Sequence, residues 1–257
     1  MKSFTNSILV CLIGAGCAAH AYRRSSIPVV TPLVSHVSQA ISPLVSPLLI
    51  SKPTELFRET FDSIDATRWR EVEVKGQTRY TIEQQGDSKS LKAESQSGAS
   101  ILLCPFRFDP DTYDWLSWRW RVDRLVEQED LRRKKGSDAA ARVYVYFDTT
   151  GVPWQKRNID YVWSANLPVG TVLPSAFSKS SMMIVVESGA DHLGTWQTVS
   201  RDLKEDYRRC FGQGPPDVVA IGVMSDSDNT KGQAIAYFDD LVVTRNKPSQ
   251  QTFGRLP

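Results

Sequence analysis

Apolar and polar side chains alternate with a period close to two along most of the chain from Glu55 onward. This period is typical of half-buried β-strands, because successive side chains of an extended chain point to opposite faces. The clearest example is Leu116–Val122, where two tryptophans share the apolar face, and Arg142–Asp148 repeats the pattern. The other predicted strands are Arg79–Glu83, Ser90–Ser95, Ala99–Leu103, Tyr161–Ser164, Met182–Glu187, Thr195–Ser200, Val218–Met224 and Ile235–Val243.

Short strands separated by turn residues predict an all-β fold. We expect an antiparallel β-sandwich that is jelly-roll-like, similar to carbohydrate-binding modules and galactose-binding-like domains. Glu59–Asp62 stands near the start of this pattern and Ala236–Val243 near its end, so the first and last strands are expected to be neighbours. The length of 257 residues fits a single such domain, which we place at residues 54–246.

A short helix is predicted near residues 202–211. Asp202 stands at the N-cap position, and Glu205 follows three residues later, which is the spacing of a capping box. Gly212 and then Pro215-Pro216 end the helix, because glycine favours the C-terminal cap and proline cannot continue a helix.

The N-terminal residues 1–21 have the features of a signal peptide: Lys2, a short apolar run and small residues before the cleavage position. A second hypothesis is a lipoprotein signal with a lipid on Cys17. Residues 22–53 are rich in proline and serine and predict a tether, and residues 247–257 predict a flexible tail. We therefore expect a periplasmic or secreted protein, with membrane contact only through Cys17.

The charge of the chain argues against polyanionic partners. Its 31 basic and 29 acidic residues give a formal net charge of +2. Without a strong positive field, nucleic acid is not an expected partner. The basic run Arg132–Lys135 lies between two predicted strands and is interpreted as a solvated loop.

Cysteine and histidine are scarce in the predicted domain. Cys104 and Cys210 are its two cysteines, and we favour two separate buried thiols over a disulfide. His192 is its one histidine and is interpreted as an ordinary loop residue. This inventory does not supply a zinc site or a Ser-His-Asp triad.

Oxygen ligands for a hard cation such as calcium are plentiful by contrast. Asp226, Asp228 and Asn229 cluster after a predicted strand, where turns capped by their side chains explain them equally well. A second candidate calcium site lies between the terminal strands, since carbohydrate-binding jelly rolls often hold a structural calcium there. Its candidate ligands are Glu59, Asp62, Asp239 and Asp240, with backbone hydrogen bonds or an arginine ion pair as the alternative.

The candidate ligand surface combines flat aromatic rings with charged groups that form directional hydrogen bonds. Aromatic rings stack on the apolar faces of sugars, while arginine and aspartate bind the hydroxyl groups. An ordinary solvated sheet with cross-strand contacts is the alternative. The candidate ligand-binding residues are Arg119, Arg121, Arg142, Tyr144, Tyr146, Asp148 and Trp163.

A set of weak motifs, specific when taken together, runs through the predicted domain. They are Trp118-Arg119-Trp120-Arg121-Val122, Ala141-Arg142-Val143-Tyr144-Val145, Tyr161-Val162-Trp163, Val186-Glu187-Ser188-Gly189, Leu193-Gly194-Thr195-Trp196, Arg201, Asp206-Tyr207-Arg208, Phe211-Gly212, Pro215-Pro216 and Asp226–Thr230. On these motifs the chain resembles a bacterial exported family of unassigned function, the domain of unknown function numbered three-zero-four-seven. The resemblance implies an exported single domain and assigns no activity.

The leading functional hypothesis is a non-catalytic binding module of the cell envelope that recognises a glycan or a similar polyhydroxylated ligand. The second is a glycan-acting enzyme, either a lyase or a hydrolase with two carboxylates. Its eligible acids are Asp148, Asp160, Glu187, Asp226 and Asp228. The third is a structural interaction protein of the envelope.

Overall fold

The computed structural model describes residues 54–149 and 156–249, which form thirteen strands and one helix. The strands are β1 (Glu55–Glu59), β2 (Arg70–Lys75), β3 (Thr78–Gln85), β4 (Ser88–Gln96), β5 (Ala99–Phe108), β6 (Trp115–Arg124), β7 (Ala141–Phe147), β8 (Arg157–Ser164), β9 (Val172–Pro174), β10 (Ser181–Ser188), β11 (Gln197–Asp202), β12 (Val218–Asp226) and β13 (Gln233–Thr244). The helix, α1, is Leu203–Phe211. All of these elements belong to one compact unit.

The predicted signal peptide at residues 1–21, the tether at 22–53 and residues 250–257 of the tail lie outside the described residues. In the part of the chain that is described, no helix is long and apolar enough to cross a membrane.

Two sheets form the sandwich. The six-stranded sheet has the order β11-β6-β13-β4-β3, with β1 paired to β13, and the seven-stranded sheet has the order β2-β5-β12-β7-β8-β10-β9. The predicted β-sandwich is therefore confirmed. Its first and last strands are neighbours, because β1 pairs with β13 in antiparallel fashion. One pair departs from the antiparallel prediction, since β10 runs parallel to β8.

The core between the sheets is built from large aromatic side chains. Trp118 and Trp120 of β6, predicted as core residues, are fully buried, as are Tyr161 and Trp163 of β8. The ring centroids of Trp118 and Tyr161 are 5.2 Å apart, and those of Trp120 and Trp163 are 5.9 Å apart. Burying one large apolar side chain stabilises a fold by about 1.5–3 kcal/mol, so these rings hold the two sheets together.

The predicted helix is present and has the predicted caps. The side chain of Asp202 accepts hydrogen bonds from the backbone N–H groups of Lys204 and Glu205, at 2.9 and 3.0 Å. Gly212 ends the helix in the left-handed conformation, with φ 72°. An N-cap of this kind stabilises a helix by about 1 kcal/mol.

Candidate functional site

The structure divides the predicted ligand surface between two opposite faces. Arg119 and Arg121 lie on β6 of the six-stranded sheet, whereas Arg142, Tyr144 and Tyr146 lie on β7 of the seven-stranded sheet. The apolar faces of both strands pack into the same core. Their polar faces therefore point away from each other, and the prediction that these residues form one surface is wrong.

Trp163 does not belong to any surface, which corrects a second part of that prediction. Its side chain is fully buried, and its indole Nε1 donates a hydrogen bond to the backbone oxygen of Gly189 at 3.1 Å. Asp148 is partly exposed at the end of β7, where it accepts a 2.5 Å hydrogen bond from Arg107 and lies 3.9 Å from Lys156. Asp148 is thus separate from the other predicted ligand residues.

On the six-stranded sheet, two arginines interleave with two aromatic rings. The guanidinium of Arg121 lies 4.1 Å from the ring centre of Tyr237 and 5.8 Å from that of Trp196. The guanidinium of Arg119 lies 5.1 Å from the Trp196 ring centre. The two rings meet edge to face, with centroids 6.5 Å apart. We call Arg119, Arg121, Trp196 and Tyr237 the Trp196 face.

A tight turn carries Trp196 to this face. Gly194 has φ 72°, a conformation that favours glycine, and its backbone N–H donates to the carbonyl of Val122 on β6 at 2.9 Å. The backbone N–H of Thr195 donates to the carbonyl of His192 at 3.1 Å. The first bond attaches the turn to β6 and the second closes the turn, and together they fix the position of the partly buried indole.

Polar neighbours hold Arg121 in place. Its guanidinium donates two hydrogen bonds to Asp123, at 2.8 and 3.0 Å, and one to the side-chain oxygen of Gln85 at 2.9 Å. The side chain of Arg121 is 17% exposed and that of Asp123 is 34% exposed. The Trp196 face therefore combines a partly accessible indole and a buried tyrosine ring with oriented hydrogen-bonding groups.

On the seven-stranded sheet, Arg142 is buried among carboxylates. Its guanidinium donates to Asp226 at 2.8 and 3.3 Å and lies 3.5 Å from Asp160. A further N–H donates to the backbone oxygen of Ser137 at 3.1 Å. Together with Glu129, these residues form what we call the Arg142 cluster, in which Arg142, Asp160 and Asp226 are each 3% exposed.

The connection between β6 and β7, residues 125–140, covers this cluster, and we call it the covering loop. Leu131 and Ala139 of the loop pack against Val162 of β8 and Val185 of β10. The carboxylate of Glu129 accepts hydrogen bonds from Ser164 and Ala165. The basic run 132–135, predicted as a solvated loop, is the exposed part of the covering loop.

One guanidinium cannot neutralise three buried carboxylates. Burial raises the pKa of Asp160 to about 7 and that of Glu129 to about 7, with Arg142 opposing the shift in each case. The pKa of Asp226 is raised only to about 6, because Arg142 and the Ala139 N–H also bind this carboxylate directly. Asp226 is therefore the carboxylate that Arg142 binds most closely.

Tyr144 and Tyr146 lie beside the cluster with their rings stacked, the centroids 5.8 Å apart and the planes at 11°. Tyr146 is buried and Tyr144 is partly buried, and burial raises the pKa of both phenols. The hydroxyl of Tyr144 lies 3.5 Å from the sulfur of Met224. The sequence interpretation of Arg142, Tyr144 and Tyr146 as partners in a solvent-facing surface is corrected: the covering loop contacts Arg142, and β12 contacts Tyr144.

Asp138, Asp226 and Asp228 bring carboxylate oxygens within 4.8 Å of one another, and all three are buried. Asp226 and Asp228 were predicted as a candidate cation site with Asn229. In the structure Asp138 accepts hydrogen bonds from the backbone and side chain of Asn229 and of Thr230, at 2.7–3.1 Å. These bonds shape the loop in the manner of a side-chain cap, so calcium binding here stays a prediction.

The acids predicted to bind calcium between the terminal strands have different hydrogen-bond partners. The Glu59 carboxylate accepts from the Trp69 indole at 2.7 Å and from the Phe61 N–H at 3.1 Å. Asp62 is exposed and accepts from Thr60 at 2.8 Å. Among the described residues, no group of three acids with clustered oxygens includes Glu59 or Asp62.

Asp239 and Asp240 are both buried because β13 is irregular here. Its pairing with β6 shifts register between Asp239 and Val242, and Asp240 has φ 48°. Asp240 lies 3.5 Å from Arg119 and 3.7 Å from Arg58, and its N–H donates to Asp239 at 2.8 Å. The arginine pairing named as the alternative is present, and calcium binding between the terminal strands stays a prediction.

The remaining predicted residues have ordinary surroundings. Cys104 and Cys210 are free thiols. The His192 side chain is 52% exposed, with its Nδ1 3.3 Å from Glu187. Trp196 and Tyr237 were not among the predicted ligand residues. Trp196, which is partly buried, follows a Leu-Gly-Thr turn, and Tyr237, which is buried, lies on the last strand.

The profile of a family described as "Protein of unknown function (DUF3047)" matches residues 67–242 of this chain. None of the curated proteins compared with the chain matches it.

Several solved structures are similar to the chain at low identity. The N-terminal CBM22 tandem domain of Xyn10C from Paenibacillus barcinonensis has 13% identity and a TM-score of 0.36. The match covers 79% of this chain and 52% of that chain. This chain therefore spans about half of the tandem's length. The xyloglucanase domain of NopAA from Sinorhizobium fredii has 11% identity and a TM-score of 0.41, with 71% and 96% coverage. Endoglucanase 3 from Trichoderma harzianum has 7% identity and a TM-score of 0.41, with 76% and 100% coverage.

Proposed function

This chain belongs to the DUF3047 family of proteins of unknown function, and we propose from its own geometry that the sandwich is a binding module that recognises a glycan through the Trp196 face. The observation that carries the proposal is the partly buried indole of Trp196, with the Arg119 guanidinium 5.1 Å and the Arg121 guanidinium 5.8 Å from its ring centre.

Rigidity makes such a ring an effective ligand platform. Side chains that are already ordered lose little conformational entropy on binding, so more of the stacking energy appears as affinity. The turn bonded to β6 and the two guanidinium groups order Trp196 before any ligand arrives. The C–H face of a sugar ring is apolar and flat, which suits stacking on an indole.

The polar groups around the rings match the other side of a sugar. Arg121, whose guanidinium lies over the Tyr237 ring, already donates to Asp123 and to Gln85, and the three side chains present oriented donors and acceptors. Sugar hydroxyl groups both donate and accept hydrogen bonds, so a mixed set of this kind supports a polyhydroxylated ligand better than a purely cationic surface would.

The acids considered for a glycan-acting enzyme are engaged with other side chains. Asp160 and Asp226 lie against Arg142, Asp228 lies 3.4 Å from Lys75, and Asp148 binds Arg107. Asp160 and Asp226 are each 3% exposed. Because these carboxylates are engaged with cations, their contacts favour a binding module over a glycan-acting enzyme.

The test is a glycan array probed with the full chain and with Trp196→Ala. Hot-spot aromatic residues typically contribute about 2 kcal/mol or more, so we expect binding to weaken at least about tenfold. Arg121→Gln should weaken it in the same direction. Phe177→Ala is the matched control, because Phe177 is an aromatic residue of another surface and is 57% exposed.

Full binding by Trp196→Ala, or an array on which the wild-type chain binds no glycan, would contradict the proposal. Equal losses in Trp196→Ala and Phe177→Ala would contradict the assignment of the surface.

The proposal extends to location. A basic start, an apolar run and small residues within residues 1–21 support export to the periplasm or the medium. Mass spectrometry of the mature protein should find a chain that begins near Tyr22, or, under the lipoprotein alternative, at a lipid-modified Cys17. An intact Met1 in exported material would contradict both.

A further inference from the structure

A polar pocket of about 460 Å³ lies at the end of β7 and the start of β8, beside the segment that follows α1. Asp148 and Thr149 come directly after β7, Arg157 begins β8, and Gln213, Pro215 and Pro216 follow the helix. We call it the Arg157 pocket. Its volume falls within the range of about 300–1,000 Å³ that is usual for small-molecule sites.

Arg157 has no acidic ion-pair partner among the described residues. Every Asp and Glu of the chain lies in the described residues, and within these residues Arg157 makes no ion pair. Arg107, at the same end of the sheet, is paired twice, with Asp148 at 2.5 Å and with Asp217 at 2.8 Å. Arg157 is partly buried, so its charge is only partly solvated.

Two aromatic residues of α1 hold the guanidinium in position. Arg157 donates a hydrogen bond to the hydroxyl of Tyr207 at 3.2 Å, and its guanidinium lies 4.8 Å from the ring centre of Phe211. Tyr207 is itself fully buried, with its ring 4.6 Å from that of Phe147. These contacts use one N–H group and leave the other donors of the guanidinium for a ligand.

The charges around the pocket favour one negative charge on that ligand. Arg107, Lys156 and Arg157 are cationic, and Asp148 and Asp217 are anionic, which leaves a single positive charge in excess. A planar guanidinium binds a carboxylate through two parallel hydrogen bonds. The amide of Gln213, which also lines the pocket, supplies neutral donors and an acceptor.

We propose that the Arg157 pocket binds a small sugar acid. Its carboxylate lies on Arg157, its hydroxyl groups bond to Asp148 and Gln213, and its C–H face lies against Pro215 and Pro216. This site is separate from the Trp196 face and does not depend on the glycan proposal, because the two involve different residues on different sheets.

Isothermal titration calorimetry of the full chain tests the pocket, with D-galacturonate and D-glucuronate as probes and D-galactose as the neutral analogue. We expect at least one of the acids to bind, and galactose to bind at least about tenfold more weakly, because it leaves the guanidinium without its partner. Arg157→Gln should weaken binding of that acid about tenfold or more.

The matched control is Arg133→Gln, an exposed arginine on the covering loop, which should bind the acid as the wild-type chain does. Gln213→Ala, at an exposed residue outside the helix, provides a second test should Arg157→Gln fail to fold, and it should weaken binding. Trp196→Ala should leave acid binding unchanged, which separates a failure of this pocket from a failure of the Trp196 face.

Three results would overturn the proposal: no binding of either acid, equal binding of galactose, or unchanged binding of the acid by both Arg157→Gln and Gln213→Ala. Tighter binding of D-glucose 6-phosphate than of either acid would overturn the assignment of a carboxylate.

Discussion

Strands β6 and β7 both carry outward arginines beside outward-facing polar or aromatic residues, yet the two faces have different environments. On β6, Arg121 stacks on Tyr237 and binds Asp123, whose side chain is 34% exposed. On β7, Arg142 binds Asp226 and lies 3.5 Å from Asp160, and all three are buried. The difference arises from the covering loop, which lies over one face. The same strand pattern thus produces a partly exposed arginine–aromatic face on one sheet and a buried ion-pair cluster on the other.

The largest expected contrast concerns stability. Arg142→Met leaves Asp226 and Asp160 buried without their cation, and breaking a buried pair in this way costs about 3–5 kcal/mol. Arg121→Met removes a partly exposed pair and should cost about 0–1 kcal/mol. Urea unfolding followed by tryptophan fluorescence measures both values. Arg142→Lys keeps the charge and should lie between them.

A loss below about 1 kcal/mol for Arg142→Met would show that the buried cluster contributes no more than a surface ion pair, since exposed pairs contribute that much. The contrast between the two faces would then fail.

The second contrast concerns pH. The folded-state pKa of Asp160 is about 7, raised by burial, so the folded chain holds a proton that the unfolded chain releases at lower pH. The stabilising contribution of protonated Asp160 is therefore fully present below pH 4 and is lost as pH rises through 7. Glu129, with a pKa of about 7, acts in the same direction. In Asp160→Asn, the decrease in the free energy of unfolding with rising pH should be smaller than in the wild-type chain by on the order of 2 kcal/mol.

Urea unfolding at pH 5 and pH 8 measures the effect. Asp123→Asn, on the Trp196 face, is the matched control and should leave the wild-type difference unchanged. A wild-type chain that is more stable at pH 8 than at pH 5, with the same trend in Asp160→Asn, would contradict the effect of the cluster.

The smallest contrast is the coupling between Arg121 and Tyr237. A guanidinium 4.1 Å from a ring centre should give a favourable cation–π coupling of about 0.5–1 kcal/mol. A double-mutant cycle with Arg121→Gln, Tyr237→Leu and the double variant measures it by urea unfolding. Zero or unfavourable coupling would show that the Arg121 guanidinium and the Tyr237 ring do not stabilise each other.

Local features of the fold could be predicted from the sequence. The period of two located strands such as β6 and β7, and Asp202 and Gly212 located the ends of α1, because these signals depend on neighbouring residues alone. Burial of Trp118 and Trp120 followed from the same alternation.

The composition of the site could not be predicted, because it depends on contacts between distant segments. Alternation shows which residues of one strand share a face, but not that β6 and β7 belong to different sheets. It also gives no sign that the covering loop buries Arg142 or that β10 runs parallel to β8. Trp196 meets Arg119 only because β11 pairs with β6.

An NMR titration of the full chain with the glycan that binds best on the array would follow the arginine Nε–Hε and tryptophan indole N–H signals. We predict that the signals of Arg119, Arg121 and Trp196 shift with the same affinity, while that of Arg142 does not move. A shift at Arg142 with unchanged signals at Arg121 and Trp196 would contradict glycan binding at the Trp196 face.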